Sequence, residues 1–413
     1  MHTFARPTSF VDPATPRLPG SNQLGMREFN ERVVLHAIRL HGSLPKAELA
    51  RLTNLSTQTV SVIINRLLEE GFVVKRDSLR GRVGQPSQPI ALNPDGAFAI
   101  GVQIGRRNLD VALIDFTGAP RYRKSIVYGA PSVDAVFGEI GEHLERIADQ
   151  LGAEKAQRVS GIGLAAPLAF GGWRELVGLS PQDADAWTRT NMRERLQAMT
   201  RLPVAFAKDT AAACVAELVA GRGRHLKNYL YVYIDTLIGG GLVLNGQPHA
   251  GVYGNAGAIG SMPLGVADDV RPGGAQQLLA CASLATLDDM LAAVGLDRLP
   301  AGDARLLQAP WAPVTARWLE EAARAIAFAV NGSSCLLDLG GVIVDGAFGA
   351  PLLDKLVDAI HTALGQYSWQ GIMRPDIIPG AIGRDAKVIG AAYLPLHANF
   401  APGHESLLKQ GRG

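Results

Sequence analysis

The chain has 413 residues, of which 47% are hydrophobic and 19% charged, an ordinary globular balance that excludes a wholly disordered or fibrous protein and leaves room for two or three domains. Net charge is only +2 but unevenly spread: residues 1–92 carry 12 Lys and Arg against 7 Asp and Glu, leaving the rest acidic. Three scattered cysteines, Cys214, Cys281 and Cys335, form neither a CxxC pair nor a zinc spacing and fit a reducing cytoplasm.

No stretch has the apolar length of a membrane span, and the proline-bearing N-terminus lacks the apolar run of a signal peptide. Residues 1–22 are expected to be a flexible arm.

Residues 23–92 then read as a winged helix-turn-helix. A first helix is expected over 24–40, with an apolar side of Phe29, Val33, Ala37 and Ile38, ended by Gly42 in the left-handed cap position. A short second helix over 45–52 opens on Pro45, and Thr53-Asn54 makes the turn. Ser56 is a good N-cap for a third helix, in which Val60, Ile63, Ile64, Leu67 and Leu68 form one buried stripe.

The opposite side of that third helix presents Gln58, Ser61, Val62 and Asn65, flanked by Thr57, Thr59 and Arg66. Amides and hydroxyls there suit base edges, and Val62 suits a thymine methyl. After Gly71, residues 72–76 and 88–92 alternate as two strands around a Gly-, Arg- and Ser-rich tip. Lys75, Arg76, Arg80 and Arg82 line this hairpin as phosphate or minor-groove contacts. Solvated surfaces without a partner are the competing reading of both the helix face and the hairpin. The expected partner is double-stranded operator DNA.

Asn93-Pro94-Asp95-Gly96 marks a boundary. Residues 97–128 read as three antiparallel strands turning at 106–108 and 117–118, followed by a helix over 132–151 and a strand over 158–165. The strand, glycine turn, strand pattern returns at 228–249, about 130 residues on, as a duplicated lobe would. Further helices are expected over 318–330, 352–364 and 386–394, the last returning to the first lobe.

The order of these pieces resembles the ROK family (repressors, open reading frames, kinases), in its repressor branch, over residues 25–400. The likeness rests on the winged reader, GIGLAAP at 161–167, VAFAKDTAAACVAE at 204–217, LIGGGLVLNG at 237–246 and GNAGAIGSMPLG at 254–265. It implies an α/β fold: an N-terminal winged helix-turn-helix, then a two-lobed actin-like, sugar-kinase-like ROK domain. The expected division is 1–22 arm, 23–92 reader, 93–200 first lobe, 201–385 second lobe, 386–400 returning helix and 401–413 flexible tail.

Departures from the family's enzyme pattern weigh against catalysis. Where kinases carry Asp-x-Gly-Gly-Thr, this chain has Gln103, Ile104, Gly105, Arg106 and Arg107. Asp235-Thr236-Leu237 replaces Gly-Thr-Gly, and an acid there repels phosphate. Of the Asn-Asp pair that holds the family's base, only Asp209 matches, beside Lys208. Asp209 contacts a ligand, caps the following helix, or does both, and Lys208 is read first as a solvated residue at a strand end. The Glu-x-Gly-His motif becomes Ala258-Ile259-Gly260-Ser261, and Cys281 stands alone in 271–287, so no zinc and no ATP are expected.

Gln182, Asp183 and Trp187 fall where the family has a sugar-facing loop. The resemblance thus implies a cytoplasmic repressor that is not an enzyme, a homodimer or homotetramer. Its effector, a sugar, sugar phosphate or polyol, would contact Asp209, Lys208, Gln182, Asp183, Ala258 and Ser261. A sugar kinase with an attached reader, and a regulator with no small-molecule ligand, are the alternatives.

Overall fold

The computed structural model describes residues 23–77, 88–129, 131–168, 179–265 and 276–402. Helix α1 (Gln23–His41) stops at Gly42, whose φ of 77° is the left-handed conformation that glycine adopts without strain. A two-residue strand β1 (Ser43–Leu44) leads into α2 (Lys46–Thr53), with Pro45 as its N-cap. Asn54 (φ 56°) ends α2, and α3 (Thr57–Glu69) starts from Ser56, whose Oγ accepts from Thr59 N at 3.1 Å. Strands β2 (Val73–Lys75) and β3 (Ile90–Leu92) pair antiparallel, and β1 adds to the far side of β3. Leu49, Val60, Ile64, Leu67 and Ile90 fill the space between helices and sheet. This is the winged helix expected from the alternating patterns.

The body repeats one plan twice. In the first sheet, β4 (Phe98–Ile104), β5 (Asn108–Asp115) and β6 (Pro120–Val127) form an antiparallel meander. After α4 (Val133–Ala156), strand β7 (Val159–Ala166) adds parallel to β4, and after α5 (Pro181–Arg189) and α6 (Met192–Ala198), β8 (Val204–Lys208) adds parallel to β7. Helix α7 (Asp209–Ala220) crosses to the second sheet. There β9 (Tyr229–Ile234), β10 (Gly239–Leu244) and β11 (Gln247–His249) make the meander. After α8 (Leu279–Ala282), α9 (Leu284–Ala293) and α10 (Ala312–Leu337), β12 (Gly341–Gly346) joins parallel. Helix α11 (Ala350–Leu364) and strand β13 (Asp376–Pro379) complete it.

Because β8 pairs with β7, the first sheet runs to Lys208. The divide between sheets therefore falls at Asp209, not at the expected 200/201, because 204–208 is hydrogen-bonded into the first sheet.

Helix α12 (Ala386–Phe400) lies back on the first sheet and against α7. Two glycines, Gly101 on β4 and Gly163 on β7, are partners across the ladder and floor this seat. A Cβ on Gly163 would stand 1.7 Å from Ala391 O, so no larger residue lets the helix lie so close.

The turn at 94–96 is present, yet the apolar core does not end there. Val34, Leu35 and Ile38 of α1 share one cluster with Phe116, Val215, Tyr393 and Leu396 of the body. Phe72, Phe116 and Phe400 stack edge to face, with Phe116 and Phe400 centroids 4.8 Å apart. The expected 92/93 boundary thus marks a chain reversal inside a shared core. Among the described residues no helix is long and apolar enough to cross a membrane.

Candidate functional site

The exposed face of α3 is polar with little charge. Thr57, Gln58 and Asn65 are exposed, Val62 is 61% exposed, and Ser61 and Thr59 are half-buried. Asn65 Oδ1 accepts from Lys46 Nζ at 3.1 Å, which brings a cation from α2 beside the same face. Arg66 is committed elsewhere: its guanidinium pairs with Glu31 of α1 at 2.9 Å and with Glu70 at 2.7 Å. It ties α3 to α1. Lys75 and Arg76 stand exposed on the wing. Arg80 and Arg82 lie outside the described residues.

Between the two sheets a cleft of about 300 Å³ is lined by Arg106, Lys208, Asp209, Asn255, Ala258 and Ser261. Four of the residues expected to contact an effector thus meet in one place. The other two do not line it. Gln182 is exposed on α5, and Asp183 accepts from Ser180 Oγ at 2.6 Å in the N-terminal cap of that helix. Trp187 is buried, donates to Pro131 O at 2.8 Å and packs near Phe137, so it belongs to the core of the first lobe.

Asp209 sits at the start of α7, 4% exposed. Its Oδ1 accepts from Thr210 N at 2.9 Å, so it does meet a first-turn donor, although Lys208 holds the N-cap position. Its Oδ2 lies 3.2 Å from Lys387 Nζ, and the same ammonium is 2.6 Å from Asp235 Oδ2. Burial alone would raise both carboxyls. The charges of Lys387 and Arg106, with backbone donors, hold both below the ordinary carboxylate range. Lys387 also stands 5.1 Å from the centroid of the Tyr233 ring. Burial depresses Lys387 and the two carboxylates raise it, with the net pull upward.

Lys208 Nζ donates to Asn255 Oδ1 at 3.0 Å across the cleft, and burial then Arg106 lower its pKa against the pull of Asp209. Arg106 lines the same space, pushed down by burial against the pull of Asp209 and Asp235. Gln103 turns into its own hairpin. With its amide oriented to suit its neighbours, the nitrogen donates to Asp110 Oδ2 at 2.7 Å and the oxygen accepts from Gly105 N at 3.1 Å.

The donors present do not fit zinc. Ala258 and Ser261 offer neither carboxylate nor imidazole, and among the described residues no three His, Cys, Asp or Glu side chains gather into a metal-holding group.

Lys387 is the residue that the sequence reading missed. It lies in AKVIGAAYL, where the only signal is a lysine on an otherwise apolar, small-residue helix.

A model of the ROK family matches residues 99–398, and one of the MarR family matches residues 29–82. An uncharacterized protein of Sinorhizobium fredii, y4fQ, is 26% identical over 91% of this chain and 92% of its own length. The xylose repressor of Bacillus subtilis is 22% identical, over 59% of this chain and 62% of that repressor. A solved ROK family transcriptional regulator, described as a homolog of the E. coli MLC protein, superposes with a TM-score of 0.65 at 18% identity, covering 93% of this chain and 99% of that one. With the match spanning both lobes behind a MarR-like winged helix, the chain belongs to the ROK family.

Proposed function

We propose that this protein is a sequence-specific DNA-binding transcriptional regulator, a repressor, whose inter-lobe cleft takes a small carbohydrate-like effector. The observation that carries this reading is the seat of the DNA reader: α1 shares its core with α12, and the first turn of α12 carries Lys387, which bonds Asp209 of the cleft wall. A ligand that favours one arrangement of the lobes therefore acts on the element on which the reader rests.

The bridge from Lys387 to Asp209 and Asp235 supports a cleft that binds without phosphoryl transfer. A base must reach the hydroxyl proton it removes, and Asp209 here spends its oxygens on Lys387 and Thr210 N. The same bridge argues for a body that works without ATP, and Ala258 and Ser261, which offer neither carboxylate nor imidazole, for one that works without zinc. Lys208, Asn255 and Ser261 remain as polar groups for an effector with several hydroxyls, and Lys208 with Arg106 also suits a phosphorylated one. Reading two half-sites needs two readers, so the proposed assembly is a homodimer or homotetramer acting in the cytoplasm.

Fluorescence anisotropy on selected genomic fragments, with and without a panel of sugars, sugar phosphates and polyols, tests this reading. Nanomolar binding to a minority of fragments, shifted at least fivefold by one panel member, is the expected result. A sugar kinase carrying a reader is the second reading, favoured by Asp209 in the cleft. ATP-dependent phosphorylation abolished by Asp209→Asn would establish it.

A further inference from the structure

A second cavity, of about 280 Å³, lies where the DNA reader meets the body. Its walls come from α1, from the connection between α7 and β9, and from the end of α12. Six basic or imidazole side chains line it: His36 and Arg39 from α1, Arg224, His225 and Lys227 from the connection, and His397 from α12. Among the described residues that line it there is no carboxylate.

The cations are not neutralised from within. Among the described residues no acidic side chain forms an ion pair with Arg39, Arg224 or Lys227, and the nearby Asp115 is held by Arg121 at 2.7 Å. Arg39 Nη1 is buried and makes no hydrogen bond. Its guanidinium rests over the Phe116 ring at 5.2 Å, a support that fixes the fork but satisfies no N–H. Three cations around one space repel each other, which favours an anion among them. Burial and mutual repulsion hold His36 and His397 below the usual imidazole range. One anion at this place opposes that repulsion.

We propose that this junction cavity is a binding site for a small phosphate-bearing metabolite, separate from the cleft. Three cations on two segments, Arg39 from α1 with Arg224 and Lys227 from the connection, match a dianion with several acceptor oxygens better than a monocarboxylate, which two of them would saturate. The volume is that of a small metabolite's site. Lys387 in the cleft and His397 here are ten residues apart on α12, about 15 Å of helix, so the two sites sit at opposite ends of one rod.

Isothermal titration calorimetry of the full chain without DNA tests the site, with inorganic phosphate and glucose 6-phosphate as probes and glucose as control, at constant ionic strength. Inorganic phosphate is expected to bind with one site per chain, and glucose 6-phosphate to compete with it at that site while glucose does not. Arg224 and Lys227 are exposed, so Arg224→Gln and Lys227→Gln keep the fold intact, which circular dichroism checks. Each is expected to weaken phosphate binding at least tenfold, and Lys208→Gln in the cleft to leave it unchanged. Loss of binding on Lys208→Gln alone would place the phosphate in the cleft and overturn the proposal. So would absence of phosphate binding together with weaker DNA binding in the two junction variants, since the cations would then be serving the DNA backbone. Failure of the cleft to bind any sugar touches the proposed effector and not this site.

Discussion

Lys387 places its ammonium 2.6 Å from the Asp235 carboxylate, and this bond joins the C-terminal helix of the first lobe to a hairpin of the second. Asp209 shares the same ammonium at 3.2 Å, so one cation beside the cleft bonds two acids from two elements.

Removing that cation leaves two carboxylates with only Arg106 and one backbone donor each to compensate them. We expect Lys387→Met to cost about 3–5 kcal/mol in urea unfolding, and Lys387→Met with Asp235→Asn to recover part of it. The acids are held low in the folded state, so their contribution is present above the unfolded carboxylate pKa and lost as pH falls through the folded one. The variant should accordingly lose little further stability on acidification below about pH 4. A cost below about 1 kcal/mol would mean that water replaces Lys387 freely.

On the DNA face, position on the fold separates two kinds of contact. Gln58→Ala and Val62→Ala, on the exposed side of α3, should relax base preference by about 1–3 kcal/mol at one position each. Lys75→Ala and Arg76→Ala on the wing should weaken all duplexes alike and lower the salt slope by about one each. Arg66→Ala should change stability more than base preference, because its guanidinium is bonded to Glu31 and Glu70. Anisotropy titrations on single-base variants at two salt concentrations check all three expectations.

Most of the winged helix could be read from residues because its signals are local. Gly42 and Ser56 set helix ends, and the stripe of α3 follows helical spacing from Val60 to Leu67. The doubled meander was legible for the same reason, as two strand–turn–strand runs. Lys387 was not, because its partners lie more than 150 residues away and only the closed fold brings α12 over the cleft. The shared core at Phe116 and Phe400 escaped the reading too. A Pro-Gly turn marks where a chain reverses, and burial decides where a core ends. Gln182 and Asp183 were assigned by family position, yet they sit on α5, with Asp183 turned back to Ser180.

His397 links stability to pH in the physiological range. Burial first, then His36 and Arg39, push its pKa down to about 4. The unfolded imidazole titrates near 6.5, so the unfolded state takes up the proton first. Stability is then full above about pH 6.5 and falls as pH drops toward 4. Between pH 7.5 and 5 we expect about 1–2 kcal/mol of this loss to vanish in His397→Gln, read as a flatter plot of unfolding free energy against pH. Phosphate at the junction should raise the His397 pKa and flatten the wild-type plot as well, which calorimetry in phosphate against chloride would show.

The contact between α7 and α12 is where cleft and reader are joined mechanically. A Cβ at Gly390 would stand 1.8 Å from Ala212 O, so the two helices touch backbone to backbone there. Each helix has one end in the cleft, at Asp209 and Lys387, and the other beside α1. Gly390→Ala must push the helices apart, and overpacking of this kind costs about 1–3 kcal/mol. Spatial continuity alone does not establish coupling; a change in linkage between two bound ligands does. We expect Gly390→Ala to keep operator affinity within about threefold of wild type at temperatures where it is folded. The shift in that affinity caused by a saturating cleft ligand should fall by more than half. A full-sized shift in a variant whose unfolding midpoint has dropped would show that the signal bypasses this contact and runs through the shared core at Phe116.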